Sequence, residues 1–177
     1  MALAALLAAV AIAQTTPDRG PSTYGTMPIR DLVKRAEQGE LVSMVVAAYR
    51  YALGIGVPSD QERSGHWARA AAEHGDPLGA ALYAYWIGIE TGVFPSWDSI
   101  AKPDFFHPNY EHEHLYLEGY AWASIARICD ETMQEVLDAY AGILDDAAQR
   151  AGGDDLAAQL LEEHFGGAVD CERDPWS

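Results

Sequence analysis

The sequence predicts an all-α protein built from repeated helix pairs, and three observations carry that reading. Apolar residues recur at helical spacing through an Ala- and Leu-rich chain. No run alternates with period two for long enough to make a sheet. A set of residues recurs 36 positions further on. With 177 residues, 49% of them hydrophobic and 21% charged, the chain has the length of one domain and is too apolar to be disordered.

The elements follow in order. Residues 2–13, ALAALLAAVAIA, are an uncharged run too short to span a bilayer, closed by the small-x-small pattern Ala11-Ile12-Ala13. No Lys or Arg precedes the run, a departure from the usual charged leader. A signal peptide over 1–13 is expected, with Gln14 the first mature residue and a Pro/Gly/Ser/Thr linker over 14–27. Pro28 then suits a first helical turn, and Ile29, Leu32, Val33 and Ala36 form one apolar stripe. Leu41, Met44, Val45, Ala48 and Ala52 make a second, stopped by Gly54, Gly56 and Pro58. Ser59 with Glu62 reads as a capping box for a third helix that turns Trp67, Ala70 and Ala71 inward. Asp76 and Pro77 open a fourth, with Leu78, Ala81, Leu82, Tyr85 and Ile89 on one face.

Gly39, Ala48, Tyr49, Gly56 and Val57 recur as Gly75, Ala84, Tyr85, Gly92 and Val93. Trp67-Ala68 through Ala71 recur as Trp122-Ala123 through Ala126, at an offset of 55. The larger offset implies an insertion of 19 residues in the second unit, at about 94–112. The run from Gly39 to Gly75 resembles a Sel1-like repeat, an α/α unit related to tetratricopeptide repeats. The features that carry the resemblance are Gly39, Ala48, Tyr51, Gly54-x-Gly56-Val57, Asp60, Trp67, Ala70-Ala71 and Gly75. The second unit departs from the pattern at Glu90, which stands where the first has Gly54.

The resemblance implies an α/α solenoid of about two to three helix pairs over 28–128, closed by a C-terminal helical cap and tail over 129–177. Such a unit cannot bury its apolar face alone, so neighbours must stack. The resemblance also implies a protein–protein interaction module without catalytic activity. The penicillin-hydrolysing activity of cysteine-rich Sel1-like proteins does not carry over, because these repeats lack regularly spaced cysteine pairs.

Within the cap, Asp130 is expected to start a helix bearing Val136, Leu137, Tyr140 and Leu144 and ending at Gly152-Gly153. A last helix from about Asp154 to Gly166 presents Leu156, Leu160, Leu161 and His164. The chain has two cysteines, Cys129 and Cys171, and an even count in an exported protein favours a disulfide between them.

The net charge of -16 is unevenly spread: residues 1–103 carry -2, and residues 104–177 carry -14. That balance excludes nucleic acid as a natural partner, since phosphates demand a surplus of Lys and Arg. It suits a basic protein partner, attracted by a field of one sign. Candidate binding residues are therefore the aromatics of the insertion, Trp97, Phe105, Phe106 and Tyr110, and the acidic pairs Asp145-Asp146 and Asp154-Asp155. His107, His112 and His114 could supply imidazole to a metal, but their spacing fits no recognised ligand motif, so no metal and no cofactor are expected. Three functions follow in order: an exported adaptor or regulator, a periplasmic inhibitor or immunity-type protein that neutralises a basic enzyme, and a metal-binding protein. No stable membrane insertion of the mature chain is expected.

Overall fold

The computed structural model describes residues 23–94, 113–144 and 147–171. The expected signal peptide, most of the linker and all but Phe94 of the insertion lie outside the described residues. Among the described residues there are eight α-helices, one 3-10 turn and no strand. The helices are α1 (Thr23–Thr26), α2 (Ile29–Ala36), α3 (Leu41–Leu53), α4 (Gln61–Glu73), α5 (Pro77–Glu90), α6 (Glu113–Arg127), α7 (Gln134–Ile143) and α8 (Ala147–Phe165). The 3-10 turn, Glu131–Met133, leads into α7. Four residues expected as linker thus form the short helix α1.

From α2 to α6 each helix packs mainly on its neighbours in sequence, and α3 also touches α5. Helix α6 is then shared, with α5, α7 and α8 all against it. Helices α3 and α5 explain why they sit innermost. Neither has a charged residue apart from Arg50 and the terminal Glu90, so both can be surrounded. Arg50 is itself buried, and it binds backbone rather than a carboxylate: Nε donates to the Ile55 carbonyl at 2.9 Å and Nη1 to that of Met27. It ties the turn after α3 to the chain entering α2.

The glycines and alanines of the 36-position echo match in structure, whereas Tyr49 and Val57 are half-buried and their counterparts Tyr85 and Val93 are buried. Gly39 and Gly75 both have positive φ, as do Gly56 and Gly92, a region that L side chains rarely adopt. Ala48 and Ala84 are both fully buried. Where the units depart, the helix length follows: α3 stops at the left-handed Gly54, whereas α5 carries Glu90 there and runs on to it. Trp67 and Trp122 are both buried, as are Ala68, Ala71, Ala123 and Ala126.

Aromatic rings seated on glycines key the successive interfaces. A Cβ on Gly65 of α4 would fall 2.2 Å from the Trp86 ring of α5, and one on Gly119 of α6 would fall 2.4 Å from the Tyr140 ring of α7. A Cβ on Gly153 of α8 would lie 2.6 Å from the Tyr120 ring of α6. A glycine there lets the ring of one helix rest on the backbone of the next, which is the close packing that interiors require.

Three local expectations are corrected. Helix α4 is capped by Asp60, whose Oδ1 accepts from the Arg63 amide at 3.0 Å, while Ser59 donates back to the Ala52 carbonyl. Asp130 caps the 3-10 turn, and the helix it leads to ends at Ile143 rather than at Gly152-Gly153. Those two glycines lie inside α8, which begins at Ala147 instead of near Asp154. Gly153 is there for the Tyr120 ring, not to end a helix. The expected stop at Gly166-Gly167 holds, both residues having positive φ.

Candidate interaction surface

The cap presents the acidic surface. On the 3-10 turn and α7, Glu131, Glu135 and Asp138 are exposed at positions i, i+4 and i+7, and therefore share a face. On α8, Asp154, Asp155, Glu162 and Glu163 are exposed. The ion pairs between described residues are Arg30–Asp31, Arg35–Glu40, Arg63–Asp60 and Arg69–Glu73, all in the first half of the chain. In the cap, Arg150 is spent on the end of α7, where its Nη1 donates to the Leu144 carbonyl at 2.8 Å. The negative field of the cap is thus not cancelled by pairing between these residues, and opposite charge on a partner would meet it at long range.

A polar network lies where α4, α5 and α6 meet, beside α8. Tyr83, 3% exposed, donates its hydroxyl to Glu118 at 3.1 Å. The Arg69 guanidinium lies 5.8 Å from the Tyr83 ring centre and binds Glu73 at 2.7 Å. His164 Nδ1 is 3.0 Å from the Glu73 carbonyl oxygen, so that nitrogen carries the proton. The His164 ring faces Trp122 at 5.7 Å, and Tyr83 stacks on Trp86 at 5.6 Å. On the far side of α6, Tyr120 donates to Asp154 at 3.0 Å. These contacts join helices. Among the described residues no group of three or more His, Cys, Asp or Glu is placed to hold a metal ion.

Burial pushes the Tyr83 phenol far above its ordinary value, and the neighbouring Glu118 charge pushes it the same way. Burial likewise raises Tyr140 well above that value, and it raises Tyr85, Tyr49 and Tyr120, the last with help from Asp154. Proton binding is therefore tighter in the folded state. The resulting stabilisation is full below the unfolded phenol pKa of about 10 and is lost as pH rises through the higher folded values. Raising the pH above about 10 should therefore unfold the protein before these phenols ionise in place. In an alkaline titration, phenolate absorbance of the buried tyrosines should rise together with the loss of helical circular dichroism. Ionisation of all tyrosines near the ordinary value with helicity intact would contradict the burial of Tyr83 and Tyr140.

The expected sites divide clearly. Trp97, Phe105, Phe106, Tyr110, His107, His112, Asp145 and Asp146 lie outside the described residues. Phe94, the first aromatic of the insertion, is core: it stacks on Tyr85 at 5.1 Å and meets Tyr140 edge-on at 5.9 Å. Asp154 and Asp155 are exposed on α8, although Asp154 is engaged by Tyr120. His114 stands exposed in the first turn of α6. The Cys129 and Cys171 sulfurs are at bonding distance, 2.09 Å, and close a disulfide across 42 residues. The Tyr83–Glu118 pair was missed, and no local signal announces it, since 35 residues separate the partners.

Searches against known proteins return nothing: no family model, no curated protein and no solved structure matches the chain. Among the described residues no helix is long and apolar enough to cross a membrane.

Proposed function

We propose that this chain is an exported protein–protein interaction module, a Sel1-like α/α solenoid with a helical cap, whose acidic cap binds a basic protein. The observation that carries the reading is the exposed carboxylates of α7 and α8, which no described Lys or Arg pairs. The solenoid is supported by the matching glycines and buried alanines 36 residues apart, and by packing that runs mainly from each helix to the next. Export is supported by the apolar run at 2–13 and by the disulfide, a bond that persists in oxidising compartments. The role fits an adaptor or regulator. The narrower alternative, an inhibitor or immunity-type protein for a basic enzyme, is favoured by the same charge and by the small size.

The test begins with affinity capture by the chain starting at Gln14 from envelope and secreted fractions. It continues with the purified partner. Asp155→Lys, Glu135→Lys and Glu163→Lys combined should slow association by roughly 10- to 100-fold at low salt, and the difference should shrink as salt screens it. Equal association rates and equal salt slopes for the two proteins would defeat the acidic-interface reading. Loss of an enzymatic activity of the partner on binding separates inhibitor from adaptor.

A further inference from the structure

We propose that the Cys129–Cys171 disulfide is a redox latch: it holds α8 closed over α6, and its reduction releases α8 while α2 to α6 stay folded. The argument starts from the poor fit of α8 to its own neighbours. Of its residues whose burial is described, only Gly153 is buried; Leu156, Leu160, Leu161 and Phe165 are all half-exposed. Helix α6 contrasts with it, burying Tyr116, Tyr120, Trp122 and Ile125 together with three alanines. Leu160, Leu161 and Phe165 pack against the core while staying half-exposed, so α8 is a partial lid on α6.

Trp122, whose ring faces His164 of α8, is 2% exposed, and its indole N–H is buried without a hydrogen-bond partner among the described residues. In the closed form the group bears its desolvation uncompensated, and withdrawal of His164 from the Trp122 ring would bring water closer to it. At the start of α8, Arg150 binds the Leu144 carbonyl beside α7; further along, Tyr120 to Asp154 and His164 to the Glu73 carbonyl are only partly shielded, so water competes for them.

What holds the far end is the tail. After α8 the chain reverses at Gly166 and Gly167, with the Gly167 amide donating to the Leu161 carbonyl at 3.1 Å. Four residues later Cys171 joins Cys129, which lies just past the end of α6. Helix α8 is thus fastened at one end by the chain and at the other by the disulfide. Cys171 is exposed and Cys129 half-buried, so a thiolate can reach the bond.

The step is an ordinary exchange with a dithiol reductant. One thiolate of the reductant attacks a sulfur of the Cys129–Cys171 bond, forming a mixed disulfide and expelling the other cysteine as thiolate. The second thiol of the reductant then displaces the remaining cysteine. The reductant leaves as its own disulfide, and Cys129 and Cys171 each take a proton. Opening uncovers the Trp122 and Tyr120 face of α6 and displaces the carboxylates of α8. The device stands independently of which partner the cap binds.

The test is hydrogen exchange of the full folded chain, oxidised and after native-state reduction with dithiothreitol, alongside the C129S/C171S double variant. Amides of 154–165 should exchange about tenfold or more faster in both reduced forms, while those of 41–53, 61–73 and 77–90 change little. Tryptophan emission should shift to longer wavelength as Trp122 meets water. Unchanged protection of α8 after reduction would overturn the proposal, because the bond would then restrain nothing. Loss of protection spread evenly over all helices would overturn it too, because the bond would be a staple of the whole domain. Native-state reduction keeps the test valid if the double variant fails to fold.

Discussion

Tyr140→Ala should lower the unfolding free energy by about 3–5 kcal/mol, the range for deleting a fully buried aromatic ring. Tyr140 lies where α5, α6 and α7 meet, and its exposure is 0%. Its ring rests on Gly119 of α6, its hydroxyl stands 3.1 Å from where a Cβ of Gly88 in α5 would be, and Phe94 meets it edge-on. The hydroxyl donates to the Ala84 carbonyl, 56 residues away in sequence. Alanine would leave a cavity bounded by two glycines, which have no side chains to swing into it. Tyr140→Phe keeps the ring and loses only the hydrogen bond, so it should cost about 1 kcal/mol. Urea denaturation of the three proteins checks the pair, read as midpoints at constant slope. A loss below about 1 kcal/mol for Tyr140→Ala would mean that the site collapses freely, contrary to the glycine seats.

The first half of the chain was legible because its signals are local. Pro77 after Asp76 marks the start of α5, and the Asp76 carboxylate accepts the Gly79 amide at 2.7 Å as a cap should. Gly54 and Gly56 mark the end of α3 because the backbone there needs positive φ. The cysteine pairing was legible for another reason: with two cysteines there is one possible bond. Adjacent capping residues were ambiguous. Ser59 and Asp60 both cap helices well, and only the geometry decides that Asp60 takes the amide while Ser59 turns back to α3.

The cap was misread where a residue's meaning is set from far away. Gly152-Gly153 looks like a helix stop, and nothing nearby contradicts it. The reason Gly153 sits mid-helix is the Tyr120 ring, 33 residues earlier and on another helix. The Tyr83–Glu118 contact is hidden in the same way, because the insertion separates its partners. Charge was legible in amount but not in arrangement. The sequence shows -14 over residues 104–177, whereas the engagement of Asp154 by Tyr120 and the use of Arg150 to end α7 are tertiary facts.

Glycines that the sequence cannot tell apart should respond to alanine with opposite signs. A Cβ on Gly79 would stand 2.7 Å from the Ala72 amide nitrogen and 2.6 Å from the Ala71 Cβ, so backbone as well as side chain is in the way. Backbone cannot rotate aside, and α5 would have to lift from α4, disturbing the Asp76 cap that receives the Gly79 amide. Ser43, 36 positions earlier, is fully buried yet carries a side chain, which places the tight approach at the α4–α5 contact in particular. Overpacking costs up to about 3 kcal/mol and alanine recovers about 1 kcal/mol in helix propensity, so Gly79→Ala should lose about 1–2 kcal/mol net. Gly152 lies inside α8 with nothing within 4 Å of its would-be Cβ. Gly152→Ala should therefore gain about 0.5–1 kcal/mol, since only the propensity term acts. Thermal unfolding of both variants checks the contrast. A Gly79→Ala protein as stable as the parent would mean that the α4–α5 spacing yields to a methyl group, and the argument that small residues set the helix spacing would fail with it.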